Sequence, residues 1–184
     1  LRKDLAATDP AIRDVVVAMH VPTVNSLQTD GSYKKALENF DEFYALFADY
    51  NLTVMSGHWH HAHSIRIGDK AAEYILPAAC GTWWYKLLCI DGTPAAFAAW
   101  TVNGTSMSHR IVPIGDEYAA ERYRVYNKGV TTNTGTVAPG TASDPAGGSP
   151  AVLVNLWEMR PDWTFDCYEN GVPTSGRLTR VARY

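Results

Sequence analysis

Four of the chain's six histidines crowd into one heptapeptide, Gly57-His58-Trp59-His60-His61-Ala62-His63. A fifth stands earlier, in Met19-His20-Val21-Pro22. Neutral imidazole is the commonest metal ligand among side chains, and it suits zinc, iron, manganese or nickel. His58 and His60 are two positions apart, so an extended backbone would aim both rings the same way. Gly57 allows the chain to turn sharply just before them. The tract is internal and interrupted by Trp59 and Ala62, whereas tags are homopolymeric and terminal. His20, His58 and His60 are therefore candidate metal ligands. His61 and His63 take supporting or substrate-facing places. His109, flanked by Ser108 and Arg110, reads as a surface residue.

The elements around the tract follow from apolar spacing. Residues 15–18 form a β-branched run short enough for a buried strand, and residues 52–55 read as a second one. Between them Leu37, Phe40, Tyr44 and Phe47 recur at helical spacing, predicting a helix over 32–50 with Ser32 as its N-cap. Strand, helix, strand is a βαβ unit, hence an α/β layer. Both histidine groups then follow strand ends, the edge where such layers build sites. Residues 65–67 alternate and stop at Gly68-Asp69, a hairpin turn signal, and residues 74–79 are another short apolar run.

From about Gly92 the helical period disappears. Short β-branched and aromatic runs follow at 96–102, 110–113, 123–125, 151–157, 163–168 and 178–183. Turn dipeptides such as Asn103-Gly104 and Asn170-Gly171 separate them, which predicts an antiparallel sandwich. The boundary is placed at 91–92. Residues 129–150 are mostly Gly, Thr, Pro, Ala, Ser and Asn with one charge, Asp144, and read as a mobile loop. Aromatic residues abound in this half. They either pack a core or wall a substrate, with Trp83 and Trp84 beside the junction, and Trp59 in the histidine tract, as candidates to face it.

Composition bounds the rest. A chain of 184 residues forms one domain or two small ones. Hydrophobic residues at 46% against 19% charged argue against intrinsic disorder. With 16 Lys+Arg against 19 Asp+Glu, the basic footprint of a nucleic-acid binder is missing. No apolar run reaches the roughly 18 residues of a membrane helix. Three cysteines are too few for a disulfide framework; a Cys80–Cys89 bridge is the single candidate, and buried free thiols are the favoured state. The chain starts at Leu1 with nothing like a signal peptide, as a processed or truncated product would. Its location is left open, with a periplasmic or secreted place favoured if a longer parent carried a leader.

The strings Val15-Val16-Val17-Ala18-Met19-His20-Val21-Pro22 and Val54-Met55-Ser56-Gly57-His58-Trp59-His60 resemble the C-terminal half of a calcineurin-like metallophosphoesterase. The later strings Ala79-Cys80-Gly81-Thr82-Trp83-Trp84, Asp91-Gly92-Thr93-Pro94, Val102-Asn103-Gly104 and Val154-Asn155-Leu156-Trp157 resemble the C-terminal domain appended to some bacterial members. The resemblance implies part of an αββα layer over 1–91 and an all-β domain over 92–184. It implies hydrolysis of phosphomonoesters or phosphodiesters at two divalent ions (Mn, Fe or Zn). His20 and His58 would ligate one ion and His60 the other.

The family's Asp-x-His and Gly-Asn-His motifs are absent, and Gly68-Asp69 lies in a turn beyond the tract. A bridging carboxylate, an Asn ligand and a transition-state His are thus missing, and no residue is identified as catalytic. The chain is expected to be a fragment with weak or single-metal binding and negligible turnover alone. An unpaired half-sheet invites association with a missing N-terminal half or a second copy. The residues also leave a second class open: a non-catalytic β-sandwich binding carbohydrate or protein, with an incidental His-rich loop.

Overall fold

Three consecutive valines at 15–17 begin the layer, their branched side chains favouring extended backbone. A computed structural model of the chain describes residues 1–9, 11–27, 32–82, 88–89, 91–115, 123–127, 152–157, 163–164, 166 and 168–173. Trp83, Trp84, the loop 129–150 and the run 178–183 lie outside the described residues. In chain order come α1 (Arg2–Ala6), β1 (Asp14–Ala18), β2 (Val24–Leu27), β3 (Tyr33–Lys35), α2 (Phe40–Ala45), β4 (Asn51–Ser56), β5 (His63–Ile67) and β6 (Ala71–Ile75). Four of these strands form one sheet in the order β1-β4-β6-β5. β1 and β6 run parallel to β4, and β5 runs antiparallel to β6. The expected strand–helix–strand unit is therefore present as β1, α2 and β4. Gly68, at φ 64, turns the chain from β5 into β6.

The helix expected over 32–50 is much shorter. Tyr33–Lys35 instead pairs with Val24–Leu27 as a hairpin, and Ser32 precedes a strand and not a helix. Asn39 occupies the N-cap without a side-chain hydrogen bond. Beyond Ala45 the backbone closes tighter turns, Phe47 N–H to the Tyr44 carbonyl and Tyr50 N–H to the Phe47 carbonyl. The apolar stripe was a sound guide to packing but not to helix length. Phe40, Phe43 and Phe47 are buried, and Leu37 and Tyr44 pack against the same clusters.

Strand alternation decides which face they cover. Leu52, Val54 and Ser56 of β4, Glu73 and Ile75 of β6, and Ile65 and Ile67 of β5 are buried. Val54 at 0% exposure, with Ile65 and Ile75 at 2%, anchor this core; each such side chain contributes about 1.5–3 kcal/mol on burial. Among the described residues, Glu73 is the charged side chain buried in that face.

The second half contains β7 (Ala96–Asn103), β8 (Ser106–Pro113), β9 (Tyr123–Asn127), β10 (Val152–Leu156), β11 (Tyr168–Glu169) and β12 (Val172–Pro173). They pair as three antiparallel hairpins, each a separate two-stranded sheet among the described residues. The architecture is thus mixed α/β with parallel and antiparallel pairing and few helices. The turns at Asn103-Gly104 and Asn170-Gly171 fall where their residue types predict, with Gly104 at φ 59 and Gly171 at φ 80. Leu88, Ala96, Ile111 and Trp157 form a small core.

His109 departs from expectation. It is half-buried, stacked on Trp100 at 4.6 Å, and edge-on to Tyr74 of β6 at 5.0 Å. It sits directly opposite Trp100 in the β7–β8 register, so cross-strand pairing sequesters a ring that its polar neighbours would leave outside. Cys80 and Cys89 are free. Cys89 is buried, and burial pushes its thiol up to about 12. Among the described residues no helix is long and apolar enough to cross a membrane.

Candidate metal centre

β1 and β4 are parallel neighbours, so their C-terminal ends lie at one edge of the sheet. Their ladder continues past both strands. Met19 N–H donates to the Met55 carbonyl at 3.0 Å, and Gly57 N–H donates to the His20 carbonyl at 3.0 Å. The two histidine-bearing loops thereby leave the sheet side by side. His58 Nδ1 lies 3.2 Å from His20 Nε2, with ring centroids 5.1 Å apart and planes at 77°. Both residues are exposed. Trp59 backs this pair. Its ring meets His58 edge-on at 5.1 Å and packs against the core of Val24, Phe40 and Ile65.

The turn is not made where glycine suggests. His58 at φ 69 and His60 at φ 55 adopt the left-handed conformation, and Gly57 does not. A left-handed residue with a side chain costs roughly 1–2 kcal/mol, so surrounding contacts must hold both. The extended spacing that would align His58 with His60 is therefore absent, and the rest of the tract is drawn toward the second half of the chain.

His60 Nδ1 is 2.6 Å from the Gly81 carbonyl. A carbonyl only accepts, so Nδ1 carries a proton, which in the neutral ring is the tautomer of a ligand bound through Nε2. His61 is 6% exposed, and its ring lies 4.3 Å from that of His63. Burial, with a smaller contribution from His60, pulls its pKa down to about 4, so it is neutral near pH 7.

Ala62 N–H donates to the Asp91 carboxylate at 2.9 Å. Asp91 also accepts the Thr93 N–H at 3.0 Å and the Thr93 hydroxyl at 2.8 Å. Burial raises the Asp91 pKa against the downward pull of these bonds. Asn155 Nδ2 donates to the Asp91 carbonyl at 2.8 Å, linking the tract to β10. Of the residues singled out from sequence, the structure brings His20 and His58 together. It ties His60, His61 and His63 elsewhere in the same loop.

Whether these residues fit a metal ion can be judged from the 3.2 Å spacing. Two imidazole nitrogens at about 2.0–2.1 Å from one tetrahedral ion lie roughly 3.3 Å apart. The pair thus fits two neighbouring positions on a single ion. Among the described residues no group of three or more His, Cys, Asp or Glu side chains is arranged to hold a metal. Two ions and a bridging carboxylate are not provided for by the described residues.

Asp91, Glu73, Thr23 and Ser56 were not foreseen as parts of the site. Asp91-Gly92-Thr93 was legible as a turn, because an Asp accepting from the N–H two residues on is a common local bond. Its reach to Ala62 was not. Glu73 carried a faint signal, a charge at the core-facing position of an alternating strand.

Residues 73–184 match the family described as the C terminal of calcineurin-like phosphoesterase. No curated protein and no solved structure matches the chain. The match covers more than half of the sequence, and it begins at Glu73, after every residue of the histidine tract. The chain belongs to the calcineurin-like phosphoesterase family through this C-terminal domain, as the later strings of the sequence imply.

Proposed function

We propose that this chain supplies the imidazole side of a divalent-metal centre in a hydrolase of phosphomonoesters or phosphodiesters. The observation that carries the reading is the approach of His20 Nε2 to His58 Nδ1 at 3.2 Å on one sheet edge. His20 and His58 hold one ion, and His60 offers Nε2 to a second while Gly81 fixes its tautomer. Such ions, when bound, polarise a phosphoryl oxygen and yield hydroxide near neutral pH. The chain's own residues hold and orient: the rings of His20 and His58 bind, Trp59 backs His58, and the tie of Ala62 to Asp91 fixes the far end of the loop.

Imidazoles alone do not neutralise two dications, so a dinuclear centre needs a bridging carboxylate that the described residues do not place beside the pair. Calorimetric titration of the chain with Mn²⁺ and with Zn²⁺ tests the reading. One weak site is expected, weakened at least about tenfold by His20→Ala or by His58→Ala. Turnover of a chromogenic phosphodiester is expected only when the region bearing the missing ligands is present. Two tightly bound ions on the isolated chain, or binding unchanged in both variants, overturns it. In the latter case a β-rich binding module with an incidental histidine loop becomes the better account.

A further inference from the structure

We infer that Glu73 is a positioning residue for the His20–His58 pair, stapling together the two loops that carry these rings; the inference rests on the metal-binding role proposed above. Glu73 sits mid-strand in β6, level with Val54 on one side and Ile65 on the other. It is 0% exposed. A carboxyl group in such company is costly unless hydrogen bonds replace its water, and here they do. Oε1 accepts the Thr23 N–H at 3.0 Å and the Ser56 hydroxyl at 2.7 Å. Oε2 accepts the Thr23 hydroxyl in a short bond.

The origin of the donors is the point. Thr23 lies three residues beyond His20, and Ser56 lies two residues before His58. One side chain therefore ties the loop after His20 to the end of β4, from which the loop bearing His58 departs. Thr23 and Ser56 are themselves 0% and 3% exposed, so neither donor can turn to solvent instead. Behind them the Tyr44 hydroxyl lies 2.8 Å from Thr23 Oγ1. Since Thr23 donates to Glu73, Tyr44 donates to Thr23, and its burial keeps the phenol protonated. The relay from α2 through the loop after His20 to β6 holds the spacing that metal binding requires, where a ligand misplaced by about 0.5 Å is already costly.

A packing role and a positioning role differ in what rescues them. Gln keeps an acceptor for Thr23 N–H and Ser56, whereas Met keeps the length and apolar fit but accepts nothing. The full chain is titrated with Co²⁺, read by its visible spectrum and by affinity, alongside circular dichroism and thermal melting. Glu73→Gln is expected to match the parent spectrum within about threefold in affinity, and folded Glu73→Met to bind at least about tenfold more weakly with an altered spectrum. Parent-like binding by folded Glu73→Met overturns the inference.

If Glu73→Met does not fold, Ser56→Ala and Thr23→Val remove the donors one at a time. Each is expected to weaken Co²⁺ binding several-fold while the chain stays folded, and parent-like affinity in both overturns the inference. His58→Ala separates the two levels. If it binds Co²⁺ like the parent, the metal reading fails and the inference with it. If it loses binding while the Glu73, Thr23 and Ser56 variants do not, the inference alone fails.

Discussion

Two halves of one short tract behave oppositely. His58 leaves β4 exposed, faces His20 and leans on Trp59. Only three residues later His61 is buried against His63, while His60 and Ala62 are tied to Gly81 and Asp91. The first half is held by the sheet and the second by Gly81 and Asp91. Residue type and spacing are nearly the same in both. What separates them is which backbone carbonyl or buried carboxyl group each part meets.

The contrast can be broken at its buried end by acid. The folded pKa of His61 is about 4, below its ordinary value of 6.5, so protonation opposes folding. There is no penalty above about pH 6.5. It grows as the pH falls toward 4 and amounts to something on the order of 3 kcal/mol there. Thermal melting of the parent and His61→Phe from pH 7 to pH 4 reads this directly. The parent is expected to lose more stability than the variant over that window, and parallel loss would show that the ring is not sequestered.

Removing the tie itself is the next largest effect. Asp91→Ala leaves the Ala62 and Thr93 N–H groups without their acceptor, at a cost of about 2 kcal/mol in urea unfolding. Hydrogen exchange should quicken at Ala62 and leave Val54 protected, because the two are held by different elements.

The functional side of the contrast is sharper in metal affinity. His20→Ala is expected to weaken Zn²⁺ binding about tenfold, worth about 1.4 kcal/mol. His63→Ala should change it less than about twofold. Equal effects from both would erase the distinction between the halves. A control away from the site is smaller still. Gly68→Ala meets open space but sits at φ 64, so a loss of about 1 kcal/mol in stability with unchanged metal affinity is expected.

Much of the layer was legible beforehand. The valine run and residues 52–55 became β1 and β4, because β-branched side chains favour extended backbone. But β1 is not the buried strand its run suggests: it lies at the sheet edge with none of its residues buried and Val16 exposed. The turns at Gly68, Gly104 and Gly171 followed from residue type. The hairpin of β2 and β3 was hidden because Tyr33–Lys35 continued a helical apolar period, and pairing with β2 outweighed that local preference. Among candidate site residues, His20 and His58 are recognisable, each next to a strand end. Glu73 is not, because its donors come from residues 50 and 17 positions away.

By itself the sequence determined the family, through the strings spread over 73–184, and the presence of imidazoles at the ends of neighbouring strands. These are properties of residue type and local spacing, and local physics suffices to read them. Only the tertiary structure decided which rings meet. His58 and His60 both turn left-handed, and contacts distant in the chain carry one to His20 and the other to Gly81. Hydrogen bonds and burial act over a few ångströms of space, whatever the separation along the chain.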